Sequence, residues 1–413
     1  MNLKIQQSLD QALVAQVYKK EVQRGLGVGT PCLEGGSRVF RGDMRNAPGL
    51  SKPILNSQVN FPLCLAPMVG LSHVALRLTV REYIPQGAKT IWPTEMLNSR
   101  RLPQENFATN PHTLRGPQET ELVPQILGNE EKAISESVKK LIYEWGAEGI
   151  DINMGCPVQK ALRHNYGVAL MGDPEYAARI VEMTVKNSTV PVSVKLRAAP
   201  QPGKDSESLN TSGNYSGNDF GYLHNFVQRL KEAGASWVCL HPRTAAQKRR
   251  GVADWSQITK LREAVDLPLI GNGDVQTAED ALHMLQETGC DMAMAGRALA
   301  ARPWMMWQFG EMLGFAPPVG REGQRAPQGP LEEGAEYGKA LLALIEHCAQ
   351  YFTEDMALRK IRFHVRTTEV WLDFGQSLVG VCDKANNLKD LRISVKNFFQ
   401  APIEMCARTE LRQ

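Results

Sequence analysis

No apolar run in this chain is long enough to span a bilayer, and its first twenty residues alternate polar and apolar without an unbroken signal-peptide core. A membrane-spanning or secreted protein is therefore not expected, and a cytoplasmic one is. The eight cysteines, at positions 32, 64, 156, 239, 290, 348, 382 and 406, include no C-x-x-C pair. That scatter is neither a zinc site nor a disulfide framework, suits a reducing compartment, and leaves no metal expected. Strong charge of either sign is also missing. The net charge of +3 is too small to argue for a polyanionic partner, so any such case must come from local clustering. Residues 24–31 are glycine-rich but have no strand before them and no Gly-Lys-Ser/Thr after them, so they read as a connector rather than a phosphate loop. The rest of residues 1–60 is an N-terminal extension of unclear role, with Leu9, Leu13, Val17 and Tyr18 spaced along one helical face.

What the chain does have is a rhythm. Its 413 residues are 43% hydrophobic and 22% charged, an ordinary globular composition. From residue 63, short apolar segments recur at 63–66, 89–93, 122–127, 149–153, 190–196, 237–240, 267–271 and 291–295. Helix-like stretches lie between most of them, at 131–145, 174–186, 220–233, 255–265 and 277–287. Thr277 opens the last as an N-cap followed by carboxylates. Eight strand–helix units over about 250 residues are the arithmetic of a (β/α)8 TIM barrel, with a doubly wound open sheet as the alternative. The α/β barrel is expected over 61–315, a Pro/Gly-rich linker over 316–335, and a smaller helical domain over 336–413, with apolar helical spacing at 341–345 and 370–374. A polar insertion at 200–219, after the fifth strand, is either a lid or a solvated loop.

In a barrel, the residues that follow the strands gather at one mouth. Here they are polar and partly cationic: Pro67, Met68, Val69, Glu95, Gln125, Asn153, Cys156, Lys195, Arg197, His241, Arg243, Asn272, Gly273, Asp274, Gly296 and Arg297. Cys156 stands out. A run too short for a helix ends in Asn153-Met154-Gly155-Cys156-Pro157, where glycine and proline bracket a thiol at a loop mouth. A buried structural cysteine is the competing reading. The turns after the seventh and eighth strands, Asn272-Gly273-Asp274 and Gly296-Arg297, fall where barrels commonly hold a phosphate. In the tail, Arg359, Lys360, Arg362 and Arg366 are grouped, with Arg362 and Arg366 on one helix face. They are either a solvated face or an RNA-backbone contact.

Joined in order, these pieces resemble the flavin-dependent RNA dihydrouridine synthases from about Leu65 to Trp304. The resemblance rests on Ala66-Pro67-Met68-Val69-Gly70, Pro124-Gln125-Ile126-Leu127-Gly128 and Asp151-Ile152-Asn153-Met154-Gly155-Cys156-Pro157. It continues through Gly167-Val168-Ala169-Leu170-Met171, Val194-Lys195-Leu196-Arg197, His241-Pro242-Arg243-Thr244, Asn272-Gly273-Asp274-Val275 and Gly296-Arg297-Ala298. It implies an FMN cofactor in the mouth and NADPH as reductant. Pro67, Met68 and Val69 would lie along the flavin, and Gln125, Lys195 and His241 would line its ring. Asn272, Gly273, Asp274, Gly296 and Arg297 would hold its phosphate. Cys156 would be the general acid that protonates C5 of uracil, a role open to a thiol whose unperturbed pKa is about 8.5. Asn153, Arg197 and Arg243 would hold the uracil edge and a neighbouring phosphate. The tail, with Arg359, Arg362 and Arg366, would bind the RNA, expected to be tRNA, and the protein would act as a monomer. Alternatives are an FMN barrel acting on a small pyrimidine or ene substrate, a non-catalytic RNA-binding barrel, and the same chemistry on ribosomal RNA.

Overall fold

The computed structural model describes residues 52–56, 58–157, 163–200 and 220–410. The readings made for residues 1–51, including the connector at 24–31, and for the insertion at 201–219 lie outside the described residues. The strands are β1 (Leu63–Leu65), β2 (Trp92–Asn98), β3 (Leu122–Leu127), β4 (Ile150–Met154), β5 (Val192–Arg197), β6 (Trp237–His241), β7 (Leu269–Asn272) and β8 (Met292–Ala295). They form one parallel sheet in the order β1-β8-β7-β6-β5-β4-β3-β2. The two ends of that order meet where the Asn60 and Phe61 N–H groups donate to the Lys89 carbonyl, both at 3.0 Å, and the Thr90 hydroxyl donates to the Leu63 carbonyl at 2.8 Å. The result is the expected TIM barrel. Lys89 and Thr90 serve that closure, so β2 begins three residues later than the apolar run at 89–93 suggested.

Outside the sheet lie α1 (Val74–Arg81), α2 (Glu131–Tyr143), α3 (Pro174–Lys186), α4 (Phe220–Glu232), α5 (Ser256–Ala264) and α6 (Ala278–Thr288). The short α7 (Arg297–Ala301) and α8 (Met305–Met312) follow β8. Thr277 caps α6 as expected: its side chain accepts from Asp280 N while the Asp280 carboxylate accepts from Thr277 N, and Gly289 ends the helix with φ +65°.

Strand alternation sorts the side chains. Ile150, Ile152 and Met154 of β4, Val192, Val194 and Leu196 of β5, and Val238 and Leu240 of β6 face the helices and join one large core. The residues between them point into the barrel. Cys64, Val123, Trp237, Cys239, Ile270, Met292 and Met294 fill its lower part together with Ile54, Val59 and Ile91. Above that apolar plug the inward positions turn polar, which builds the mouth.

The tail comprises α9 (Pro330–Tyr351), α10 (Glu354–Thr368), α11 (Gly375–Lys384) and α12 (Leu388–Phe398). Helix α9 starts inside the stretch read as linker, because Pro330 suits a first helical position and Gly329, at φ +79°, turns the chain into it. The helical spacing at 370–374 is not realised. A 3-10 turn at Glu369–Trp371 is followed by Phe374 in the left-handed region at φ +57°, which breaks the chain between α10 and α11. The tail shares one apolar core with the barrel, since Leu341, Leu344 and Ile361 belong to the same cluster as Leu76, Leu299 and Trp304. Polar ties reinforce it: the Tyr83 hydroxyl donates to Glu336 at 2.8 Å, and the Trp371 indole donates to Gln276 at 3.2 Å.

Candidate active site

The register of the central strands sets out the floor of the mouth. Gln125 pairs with Asp151, and Asp151 with Ser193; one step higher Asn153 pairs with Lys195. The side chains connect in a buried chain. The Ser193 hydroxyl donates to Asp151 Oδ1 at 2.6 Å, and Gln125 Nε2 donates to Asp151 Oδ2 at 2.7 Å. A carboxylate only accepts, so Gln125 must turn its amide oxygen the other way. That oxygen accepts from Asn153 Nδ2 at 2.7 Å. Asn153 Oδ1 in turn accepts from the N–H groups of Gly155 at 3.1 Å and Cys156 at 2.9 Å, an Asx turn that sets the cysteine loop. Burial raises the Asp151 pKa above its ordinary value, against the hydrogen bonds from Ser193 and Gln125 and the charge of Lys195.

Cys156 thus stands at the end of a polar relay. Cys64, Cys156, Cys239, Cys290, Cys348 and Cys382 are in no disulfide, and among them only Cys156 is not buried. Burial pushes the Cys64 thiol well up and the Cys239 thiol up to about 12, as befits plug residues. From β5, Arg197 braces the same loop: its Nε donates to the Gly155 carbonyl at 2.8 Å, and its Nη1 to the carbonyls of Thr244 and Lys248 at 3.2 and 2.9 Å. Its guanidinium therefore ties the cysteine loop to the loop after β6.

Lys195 Nζ donates to Asn272 Oδ1 at 2.9 Å, and Asn272 Nδ2 donates to the Met294 carbonyl at 2.7 Å. These bonds hold the ammonium across the mouth toward β7. His241 receives Arg243 Nη1 at Nε2, 3.2 Å away, so that nitrogen carries a lone pair. Its pKa lies well below 6.5, because burial and then Lys195, Arg197, Arg243 and Arg249 disfavour a further positive charge. The imidazole is neutral.

Arg243 Nη2 contacts both carboxylate oxygens of Asp274, at 2.7 and 2.8 Å, and Asp274 Oδ2 also accepts from Ala253 N at 2.7 Å. The Asp274 carboxylate is therefore spent on protein donors, and what it offers an anion is backbone. Gly273 is required here: it sits at φ +115°, and a Cβ would come within 2.9 Å of Ala253 Cβ and 3.0 Å of His241 Cδ2. Gly296 is packed close to Met68, whose sulfur would lie 3.5 Å from an added Cβ, so the Pro67–Met68–Val69 loop adjoins the β8 turn. Val69 is exposed. Arg297 has its pKa lowered to about 10 by burial, with Arg249 and Arg243 adding repulsion and Asp274 opposing it. Three guanidinium groups share this corner with one carboxylate.

The structure thus brings together Met68, Gln125, Asn153, Cys156, Lys195, Arg197, His241, Arg243, Asn272, Gly273, Asp274, Gly296 and Arg297. The tail arginines lie apart from this group. Arg362 donates to the carbonyls of Cys382 at 3.2 Å and Ala385 at 2.7 Å, and Arg366 pairs with Asp383 at 2.6 Å, so both lie against the end of α11. Arg359 is exposed, and its side chain has no hydrogen bond or ion pair among the described residues. Sequence reasoning missed Asp151 and Ser193 as the support of the relay. Their signal was the alternation in β4 and β5, which puts both on the inner face with Asn153 and Lys195.

The family model for dihydrouridine synthase matches residues 64–371. The chain belongs to the dihydrouridine synthase family. It is an oxidoreductase, and it is similar in sequence to a set of curated relatives. It is 35% identical over 254 residues to a probable tRNA-dihydrouridine synthase of Rhizobium leguminosarum bv. phaseoli, covering 62% of this chain and 72% of the relative. It is 32% identical over 333 residues to a probable tRNA-dihydrouridine synthase of Mycobacterium leprae, covering 73% and 78%. With the tRNA-dihydrouridine synthase B of Pseudomonas aeruginosa it shares 28% over 306 residues, covering 73% and 82%. Among the described residues, no helix of the chain is long and apolar enough to cross a membrane.

Proposed function

We propose that this chain uses FMN, reduced by NADPH, to saturate the C5–C6 bond of a uridine in tRNA, giving 5,6-dihydrouridine, with Cys156 as the general acid. One observation carries the reading: the half-buried Cys156 thiol stands on the loop after β4, set by the buried relay and by Asn153, which pairs in register with Lys195.

The mouth fits such a cofactor. The corner formed by Arg243, Arg249 and Arg297 against Asp274 has an excess of positive charge, and the buried Arg243 Nε has no hydrogen-bond partner among the described residues. Gly273 and Gly296 bring bare backbone to that corner, Gly273 because a Cβ there would strike Ala253 and His241, and a phosphate would meet backbone N–H groups there. Lys195 and Asn272 would meet the polar edge of the ring, the neutral His241 and Gln125 would line it, and Pro67, Met68 and Val69 would lie along its face. Bound, the flavin supplies the hydride that C6 of uracil receives.

The chain's own residues do the rest. Lys195 places a positive charge where electron density collects. Asn153, Arg197 and Arg243 would hold the uracil edge and a neighbouring phosphate, while Arg197 also braces the Cys156 loop. The Cys156 S–H gives its proton to C5, and solvent returns a proton to the thiolate. The target base must leave its stack to reach this depth. Arg359 would contact the RNA backbone, with Arg362 and Arg366 behind it on α10. We read the protein as a cytoplasmic monomer that needs no metal ion.

The purified protein is expected to be yellow, and to bleach when NADPH is added without air. Cys156→Ala is expected to lower dihydrouridine formation in an unmodified tRNA transcript by about 10²- to 10⁴-fold while keeping the bleaching, the range for a lost general acid. A colourless protein that takes up no FMN would overturn the cofactor, and a Cys156→Ala rate equal to wild type would overturn the acid.

A further inference from the structure

A second recess opens on the rim of the barrel, between the loop after β1 and helix α10. It has a volume of about 270 Å³, and its lining includes Gly70, His112, Met356, Arg359, Lys360 and Phe363. Three of these are held from behind by one buried carboxylate. Glu95, 1% exposed, accepts from Gly70 N at 2.7 Å, lies 3.3 Å from His112 Nδ1, and has Lys360 Nζ at 3.8 Å. The recess is therefore a built feature of the barrel–tail junction. Its Lys360 charge is committed to Glu95 and to the ring of Phe352, 4.9 Å away. The charge of Arg359 is not committed, since no hydrogen bond or ion pair holds it among the described residues.

Phe363 gives the recess its second character. The residue is 45% exposed and its ring rests against Gly70, where an added Cβ would come within 2.7 Å of Cε1. Arg359 and Phe363 are four residues apart, so they share one face of α10. An exposed aromatic face beside an uncommitted guanidinium, in a recess near the small end of the roughly 300–1,000 Å³ range of ligand pockets, suits one planar group bearing an anion. Gly70 directly follows Val69, so the recess adjoins the mouth in which the reactive base would sit.

We propose that this recess receives the nucleotide next to the reactive uridine, its base stacked on Phe363 and its phosphate on Arg359. The inference rests on the reading of the chain as an RNA-uridine reductase. Extruding one base leaves its neighbour without a stacking partner, and an aromatic platform replaces that partner without regard to base identity. Glu95, by fixing Gly70 and Lys360, keeps the platform at the rim.

The test uses the full-length protein and an unmodified tRNA transcript. Phe363→Ala is expected to raise the KM for the transcript roughly tenfold, the scale of one lost base stack. Phe363→Trp, which offers a larger face, is expected to keep the wild-type KM or lower it. On a transcript made abasic at the 5′ or the 3′ neighbour of the reactive uridine, one of the two should lose the same factor, and Phe363→Ala should then cost nothing more. Arg359→Ala should lower the salt slope of binding by about one. Phe363→Ala and Phe363→Trp raising KM alike, full additivity with both abasic transcripts, or a rise in KM for NADPH instead of RNA would each overturn the proposal. If the wild-type protein makes no dihydrouridine in the transcript, the parent reading fails instead, and the two failures are distinct.

Discussion

Asp151 decides the direction of the hydrogen bonds beneath the reactive thiol. As an acceptor on both oxygens it forces Gln125 to present its NH2 group, and Asn153 then has one way to turn. Removing it strands two buried donors, at about 1–3 kcal/mol each. Asp151→Ala is therefore expected to destabilise the protein by roughly 2–5 kcal/mol in denaturant unfolding. Asp151→Asn is different. Its amide oxygen can accept from Gln125 while its NH2 group donates to the Ser193 hydroxyl, so the relay survives. The wild-type carboxyl has its pKa raised above 3.8 by burial, ahead of the opposing bonds and Lys195. A raised carboxyl contributes its stability below the unfolded value and loses it as pH rises through the folded one. An asparagine has no such loss, so the stability of Asp151→Asn relative to wild type should improve from acidic to neutral pH. A flat difference across that range would show that Asp151 is ionised at little cost.

At the scale of elements, helix α10 has two working faces. One face, with Arg359 and Phe363, looks onto the rim. The other, with Arg362 and Arg366, closes the end of α11, where cations meet the last carbonyls. Arg362→Ala is expected to cost about 1–3 kcal/mol in thermal unfolding, because its hydrogen bonds to the chain are charge-assisted and half-buried. Arg366→Ala, whose partner Asp383 is also solvent-accessible, should cost under about 1 kcal/mol. Equal costs for the two would contradict this division. Helical spacing in the sequence placed Arg362 and Arg366 on one face, which is right, but spacing is silent on what packs against a face. The barrel was legible for the opposite reason. Each of its strands is a short apolar run whose place in the sheet is fixed by its place in the chain, and the mouth residues follow from strand ends alone. Lys89 and Thr90 are continuous with Ile91 and Trp92 in the sequence, yet their hydrogen bonds close the barrel seam. Phe374 has apolar neighbours that suit a helix, while its backbone is left-handed. Asp151 is hidden in an apolar run whose alternation turns it inward beside Asn153.

For the whole molecule, the question is what keeps the tail set against the barrel. The shared apolar core supplies most of it, and that part is insensitive to pH. The Glu95 cluster is one part that titrates, beside the His347–Glu82 contact and the Glu336 carboxylate. Burial works to raise the Glu95 pKa, but the hydrogen bond with His112, the charge of Lys360 and the Gly70 N–H prevail and hold it below 4.5. The hydrogen bond to Glu95 raises His112 above 6.5 against its partial burial and the charge of Lys360, with Glu105 adding to the rise. A depressed carboxyl gives stability that is present above its unfolded value and lost as pH falls through the folded one. A raised imidazole gives stability that is present below its unfolded value and lost as pH rises through the folded one. The cluster is therefore fully in force between the ordinary values of 4.5 and 6.5 and weakens on both sides. Thermal unfolding followed across this range should show a decline above the upper limit that His112→Gln reduces. The same variant should keep the acid decline, since Lys360 and Gly70 still favour the Glu95 carboxylate. Glu95→Gln should remove this cluster's share of both limbs. If His112→Gln leaves the decline above 6.5 unchanged, the pH sensitivity of the junction lies with other groups and the Glu95–His112 contact is only geometric.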